Sequence, residues 1–121
     1  MAIATHSGRL HARSVDAMLI AFSVAPSGTG ESVADAVADA VRVVRESGLP
    51  NRTDAMFTTI EGDWDECMDV VKRACEAVGR HSGRTSLVLK ADIRPGHSGE
   101  LDGKLARLEA ALGRQESGPP S

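Results

Sequence analysis

The run Met18-Leu19-Ile20-Ala21-Phe22-Ser23-Val24-Ala25, halted by Pro26, is strand-sized and apolar on both of its faces. Ile20, Phe22 and Val24 share one face by the period of two, and Leu19, Ala21 and Ser23 share the other. A strand of this kind must be covered on both sides. The 121-residue chain is long enough to do that with one domain and one core, and too short for two.

Helical signals begin at Ser32, with Asp35 three residues on in a capping-box arrangement. Val33, Val37, Val41 and Val44 recur at helical spacing with Asp35, Asp39 and Arg42 outside, which predicts a valine-faced helix. Gly48 and Pro50 stop it. Residues 52–62 are Thr-rich and too short for another helix. They read as two short strands, 52–55 and 58–61, turning at Met56-Phe57. Asp63 caps a second helix with Glu66 at the box position. Trp64, Met68, Val71, Cys75 and Val78 predict its buried stripe, and it should end near His81 with Gly83 just beyond. Residues 85–93 form the last strand, with Leu87, Leu89, Ala91 and Ile93 alternating with Val88, Lys90 and Asp92. A short terminal helix carries Leu101, Leu105, Leu108 and Leu112 on one side.

The element order is therefore β-α-β-β-α-β plus a C-terminal helix, an α+β sandwich with a four-stranded antiparallel sheet. Right-handed crossovers place both long helices on one side of the sheet. Leu19, Ala21 and Val88 are then left on the opposite face, so self-association to a dimer or tetramer is expected to cover them. The domain spans residues 18–113. Residues 1–17 read as a disordered extension without the apolar core of a secretory signal, and residues 114–121 as a disordered tail.

Net charge is −3, which gives no general pull toward nucleic acid or anionic membrane. No apolar run approaches the roughly 18 residues of a membrane span. Cys67 and Cys75 lie about 12 Å apart along one helix at ~1.5 Å per residue, too far for a disulfide, so free thiols and a reducing, cytoplasmic compartment are expected. His6, His11, His81 and His97 have no ligand spacing with each other or with the cysteines, so no metal site is expected. No nucleophile–base constellation can be assembled from sequence, and no enzyme activity is expected.

The segments Met18–Pro26, Ser47-Gly48-Leu49, Thr58-Thr59-Ile60-Glu61-Gly62 and Lys90-Ala91-Asp92-Ile93-Arg94 resemble the small thiamine-binding (YkoF-like) family of ferredoxin-like proteins. The likeness extends over roughly residues 18–112, and the Thr-x-Ile-Glu-Gly stretch is its most specific part. The resemblance implies a ferredoxin-like homo-oligomer, commonly a tetramer joined through sheets. It further implies binding of thiamine or its hydroxymethylpyrimidine moiety, in uptake, salvage or sensing, with no cofactor and no established catalysis. Met56-Phe57 departs from the Met-Gly expected in that family.

Glu61 is the foremost candidate for ligand binding, because a carboxylate can accept from the exocyclic amine of an aminopyrimidine. The competing role for Glu61 is to cap a helix or to pair with Arg94. Thr59 shares its strand face and Thr58 lies opposite, while Ser23, Arg94 and Met56 complete the expected set in a pocket at a subunit interface. Asp92 and Arg94 can equally form an ion pair between subunits. The loop Gly28-Thr29-Gly30 before a helix start is a candidate anion seat or simply a flexible connection; it matches neither a dinucleotide nor a Walker motif. Two other functions share this topology or composition. An RNA-recognition module would need sheet-face aromatics and a basic surface, but Phe22, Phe57 and Trp64 are the only aromatic residues. A structural or regulatory homo-oligomer that binds another small or anionic ligand stays open.

Overall fold

The computed structural model describes residues 17–27, 33–96 and 98–116. The elements run β1 (Met18–Pro26), α1 (Val33–Glu46), β2 (Asn51–Thr53), β3 (Thr58–Gly62), α2 (Trp64–Gly79), β4 (Thr85–Asp92) and α3 (Glu100–Glu116). The sheet order is β2-β3-β1-β4 and every neighbouring pair is antiparallel. This is the expected α+β, ferredoxin-like arrangement, and it puts β1 in the sheet interior.

Alternation along β1 sends Met18, Ile20, Phe22 and Val24 toward α1 and α2, where all four are buried. Ile20 sits between Ile60 of β3 and Ala91 of β4, and both Ile20 and Ile60 are wholly excluded from solvent. A fully buried side chain of this size contributes roughly 1.5–3 kcal/mol.

Val44 of α1 and Val71 and Val78 of α2 are buried as expected, but both helices are turned from the faces that the other valines and the tryptophan suggested. On α1 the core positions are Ala36, Ala40 and Val44, while Val33 and Val37 stay 44% and 36% exposed. Alanines bring the helix backbone close to the sheet and to α2, and the bulkier valines flank that contact. On α2 the buried arc comprises Cys67, Val70, Val71, Ala74, Ala77 and Val78, with Trp64 55% exposed and Met68 and Cys75 packed at its margin. This helix touches α1 as well as the sheet, so its buried arc is wider than one stripe and turned away from Trp64.

The local punctuation is largely as read. Asp63 and Glu66 form the reciprocal capping box, with the Glu66 N–H donating to Asp63 Oδ1 at 2.8 Å and the Asp63 N–H donating to Glu66 Oε1 at 3.1 Å. Gly48 ends α1 in the left-handed region, at φ 82°. The helix α2 stops at Gly79 rather than near His81, and Gly83 is not among the described glycines with positive φ. Strand β2 is shorter than expected and begins one residue earlier, whereas β3 begins at Thr58 as expected and runs one residue further, to Gly62. Thr53 pairs with Thr58, and the Asp54 N–H donates to the Phe57 carbonyl at 2.9 Å, leaving Ala55-Met56 as the tip. The last strand ends at Asp92, with Ile93 exposed beyond it, and α3 continues to Glu116, past the expected boundary at 113.

Beyond α2, the His81 imidazole reaches Asp39 of α1 at 2.7 Å, and Arg42 reaches the other Asp39 oxygen at 2.8 Å. These two partners, His81 foremost, hold the Asp39 carboxyl below the usual carboxylate range. A carboxylate depressed in this way stabilises the fold above its unfolded value of about 4 and loses that contribution as pH falls through the lower folded value.

Two outcomes are expected. Ala40→Leu overpacks the α1–sheet contact and costs about 1–3 kcal/mol in urea unfolding, whereas Val33→Thr changes stability by less than about 0.5 kcal/mol. Equal effects at the two positions would place the core face on the valines. Asp39→Asn lowers the urea midpoint at pH 6, and the gap from the parent narrows as the pH is taken below about 4.

Candidate functional site

The residues expected to bind a ligand fall in three places. Ser23, Met56 and Thr58 line a slot beneath the β2–β3 loop with a volume of about 170 Å³. Phe22 and Val24 of β1 and Val37 and Val41 of α1 give it apolar walls, and Met56 and Phe57 lie over it. Thr53, Asp54 and Thr58 supply its polar groups, with the Thr58 hydroxyl donating to the Thr53 hydroxyl at 3.4 Å. Met56 is 76% exposed at the tip of the loop, an unusual position for so large an apolar side chain. A second, shallower groove of about 740 Å³ runs along α1 past Arg42 and Arg45, and it shares Val37, Val41 and Thr53 with the slot.

Thr59 lies on the other face of the sheet. Cross-strand pairing sets Arg52, Thr59, Ala21 and Lys90 in one row across all four strands. Helix α3 borders this face through Leu101, Lys104, Leu105 and Leu108.

Glu61 is engaged within the chain. It is only 2% exposed, and its two oxygens accept from the Glu100 N–H at 2.9 Å and the Leu101 N–H at 3.4 Å. A buried carboxylate is costly unless hydrogen-bonded, and here the amide donors and positive end of α3 offset that cost. Arg94 does not pair with Glu61 or Asp92. It donates to Glu100 Oε1 at 3.3 Å, and Arg107 donates to Glu100 Oε2 at 2.8 Å. Asp92 instead pairs with Lys104 of α3. Within the chain, Asp92 and Arg94 thus make two separate links from the end of β4 to α3. Lys104 is the principal reason that the Asp92 carboxyl is held below its ordinary range, with the charges of Arg94 and Lys90 adding to the effect.

Gly28, Thr29 and Gly30 lie outside the described residues, as do His6, His11 and His97. Among the described residues no group of three or more His, Cys, Asp and Glu side chains is arranged to hold a metal. Burial first, and the charge of Glu76 second, push the Cys75 thiol up, which makes it a poor nucleophile. No described helix is long and apolar enough to cross a membrane.

Sequence reasoning placed Phe57 with Met56 over a ligand but missed Asp54, Val37 and Val41 as slot residues, and Glu100 and Lys104 on the opposite face. The two valines were visible as an apolar repeat, but nothing local distinguishes a core valine from one that lines a crevice.

A family model described as thiamine-binding protein matches residues 20–109. A UPF0045 protein of Mycobacterium bovis is 55% identical over 100 residues, covering 82% of this chain and 98% of that relative. Among solved structures, a hypothetical protein from Methanocaldococcus jannaschii superposes with a TM-score of 0.71 at 31% identity, covering 78% of this chain and 97% of that one. A Bacillus cereus domain of unknown function superposes with a TM-score of 0.70 at 32% identity, covering 76% and 89% of the respective chains.

If Glu61 holds α3, Glu61→Gln should cost about 1–3 kcal/mol, because an amide group then faces two N–H donors with one acceptor oxygen. Hydrogen exchange is the discriminating measurement. Protection should fall first in α3, with α1 and α2 unchanged; uniform loss across all helices would show that Glu61 has no special hold on α3.

Proposed function

The chain belongs to the thiamine-binding protein family, and on that premise we propose that it binds thiamine or its hydroxymethylpyrimidine moiety in the slot beneath the β2–β3 loop, without catalysing a reaction on it. The observation that carries this reading is the slot itself, an apolar cleft of about 170 Å³ with Asp54, Thr53 and Thr58 at its polar margin. Sites that enclose whole drug-sized ligands occupy roughly 300–1,000 Å³, so this one suits a single flat ring. The pyrimidine would lie between Val37 and Val41 on one side and Met56 and Phe57 on the other. Its exocyclic amine donates to the Asp54 carboxylate or to a threonine hydroxyl. The rest of a thiamine molecule extends into the groove along α1, which is continuous with the slot through Val37, Val41 and Thr53.

In this reading Ser23, Met56 and Thr58 are ligand neighbours, while Glu61 and Arg94 act indirectly by fixing α3. Self-association to a dimer or tetramer is also part of the proposal. Val88 on the sheet and Leu105, Leu108 and Leu112 on α3 are 56%, 42%, 53% and 42% exposed, and a second copy is the simplest cover for them.

Thermal-shift measurements with thiamine, its phosphates and hydroxymethylpyrimidine test the claim. A ligand at 100 times its Kd should stabilise the fold by about 2.7 kcal/mol. Val37→Phe, at a partly exposed position, should fill the slot and abolish the shift while leaving the unliganded melting temperature nearly unchanged. No shift from any of these compounds removes the pyrimidine reading and favours a purely structural or regulatory oligomer.

A further inference from the structure

Among the described residues that line the slot beneath the β2–β3 loop, Asp54 carries the one ionisable side chain, and none is a lysine, arginine, histidine, asparagine or glutamine. The other polar side chains there are the hydroxyls of Ser23, Thr53 and Thr58. A hydroxyl donates or accepts as its proton rotates, whereas a carboxylate only accepts. The slot therefore presents a fixed acceptor and no fixed side-chain donor.

The Asp54 carboxylate is available to a ligand. Its backbone N–H is used within the loop, donating to the Phe57 carbonyl, but its side chain makes no hydrogen bond or ion pair among the described residues. Asp54 also borders the space between the sheet and α3, so the charges there bear on it. Arg52, two positions back in the chain, is held by Asp102 at 3.1 Å, and Lys104 is held by Asp92. Glu100 adds a further carboxylate, which Arg94 and Arg107 already engage. Both cations lining that space thus have carboxylate partners, and neither is left to neutralise Asp54. In the groove along α1, Arg42 is held by Asp39, and the charges of Arg45 and Glu46 sum to zero.

We propose that Asp54 determines which pyrimidines the slot accepts: rings with an amino group facing the loop, and not their oxo counterparts. The inference rests on the slot being the binding site, and it assigns the amine contact to Asp54 rather than to a threonine. The amine donates an N–H to a carboxylate oxygen in a charge-assisted bond. An oxo ring carries a carbonyl oxygen at the same position, which sets lone pairs against the carboxylate and has nothing to donate. Thr53 and Thr58, whose hydroxyls are linked at 3.4 Å, can turn to suit either ring and so do not discriminate. Asp54 is exposed at the margin of the slot, where water competes for it. The preference is therefore about tenfold, far below the factors that fully buried polar sites reach.

Isothermal titration of the full chain with two matched pairs of probes tests this: hydroxymethylpyrimidine against its oxo counterpart, and thiamine against oxythiamine. The amino member of each pair should bind about tenfold tighter, the worth of one hydrogen bond to a charged group. Asp54→Asn, whose amide can donate as well as accept, should bring the two members within about twofold of each other. Asp54→Glu, which keeps the carboxylate, should retain a preference for the amino member. The melting temperature of each variant establishes that it has folded. Equal binding of the two members by the parent chain, or a preference that survives Asp54→Asn, overturns the inference and leaves the slot reading standing. No binding of any probe removes the slot reading and this inference with it.

Discussion

Ile20 is wholly buried and Leu19 beside it is half covered, and the two side chains leave β1 on opposite faces of the sheet. Covering both is the constraint that organises the molecule. On the Ile20 side, α1 and α2 supply small residues, Ala36, Ala40 and Ala74, that bring helix backbones close to the strands. On the Leu19 side only α3 arrives, and it touches β1 and β3 through its first turns. The domain therefore has one dense core and one face that is only partly closed.

What attaches α3 to that face is electrostatic more than apolar. Its leucines stay half exposed, and the ion pairs Lys104–Asp92 and Arg52–Asp102 are exposed contacts of a kind worth ~0–1 kcal/mol each. The buried carboxylate of Glu61, receiving two backbone N–H groups, is the stronger hold. Glu100 repeats the device in reverse, its own buried carboxylate accepting from Arg94 before the helix and Arg107 within it. Between β4 and α3 the chain passes through Gly96 and Gly99 at φ 82° and 68°, conformations that glycine adopts without strain. The helix can therefore be delivered squarely onto Glu61.

The two clefts follow from this asymmetry. The slot forms where α1 presents valines rather than alanines to the β2–β3 loop, so the helix stands off and leaves a crevice roofed by Met56 and Phe57. The opposite cleft forms because α3 covers the sheet at one end only. The slot is walled by apolar groups with a carboxylate and hydroxyls at its edge, and the opposite cleft by leucines of α3 beside a mixture of cationic and anionic side chains.

Much of the architecture was legible in the residues. The two-faced strand at 18–26, the Asp63–Glu66 capping box, the glycine stop at 48 and the β-α-β-β-α-β order all rest on interactions within a few positions along the chain, which pattern reasoning captures. Helical periodicity also marked α1 and α2, but it fixes an angular spread and not the rotation of the helix against its neighbours. The alanines at 36 and 40 therefore won the core from the valines only once the sheet was in place. Glu61 was legible as a special carboxylate, but its partners lie 39 and 40 positions away, beyond any local capping rule. The meeting of Thr59, Ala21 and Lys90 likewise depends on which strands pair and in which register. The sequence by itself determined the elements, their order and the need to cover β1 twice; tertiary structure decided where several of them end and which side chains meet across strands and helices, because those distances are set by packing and not by spacing along the chain.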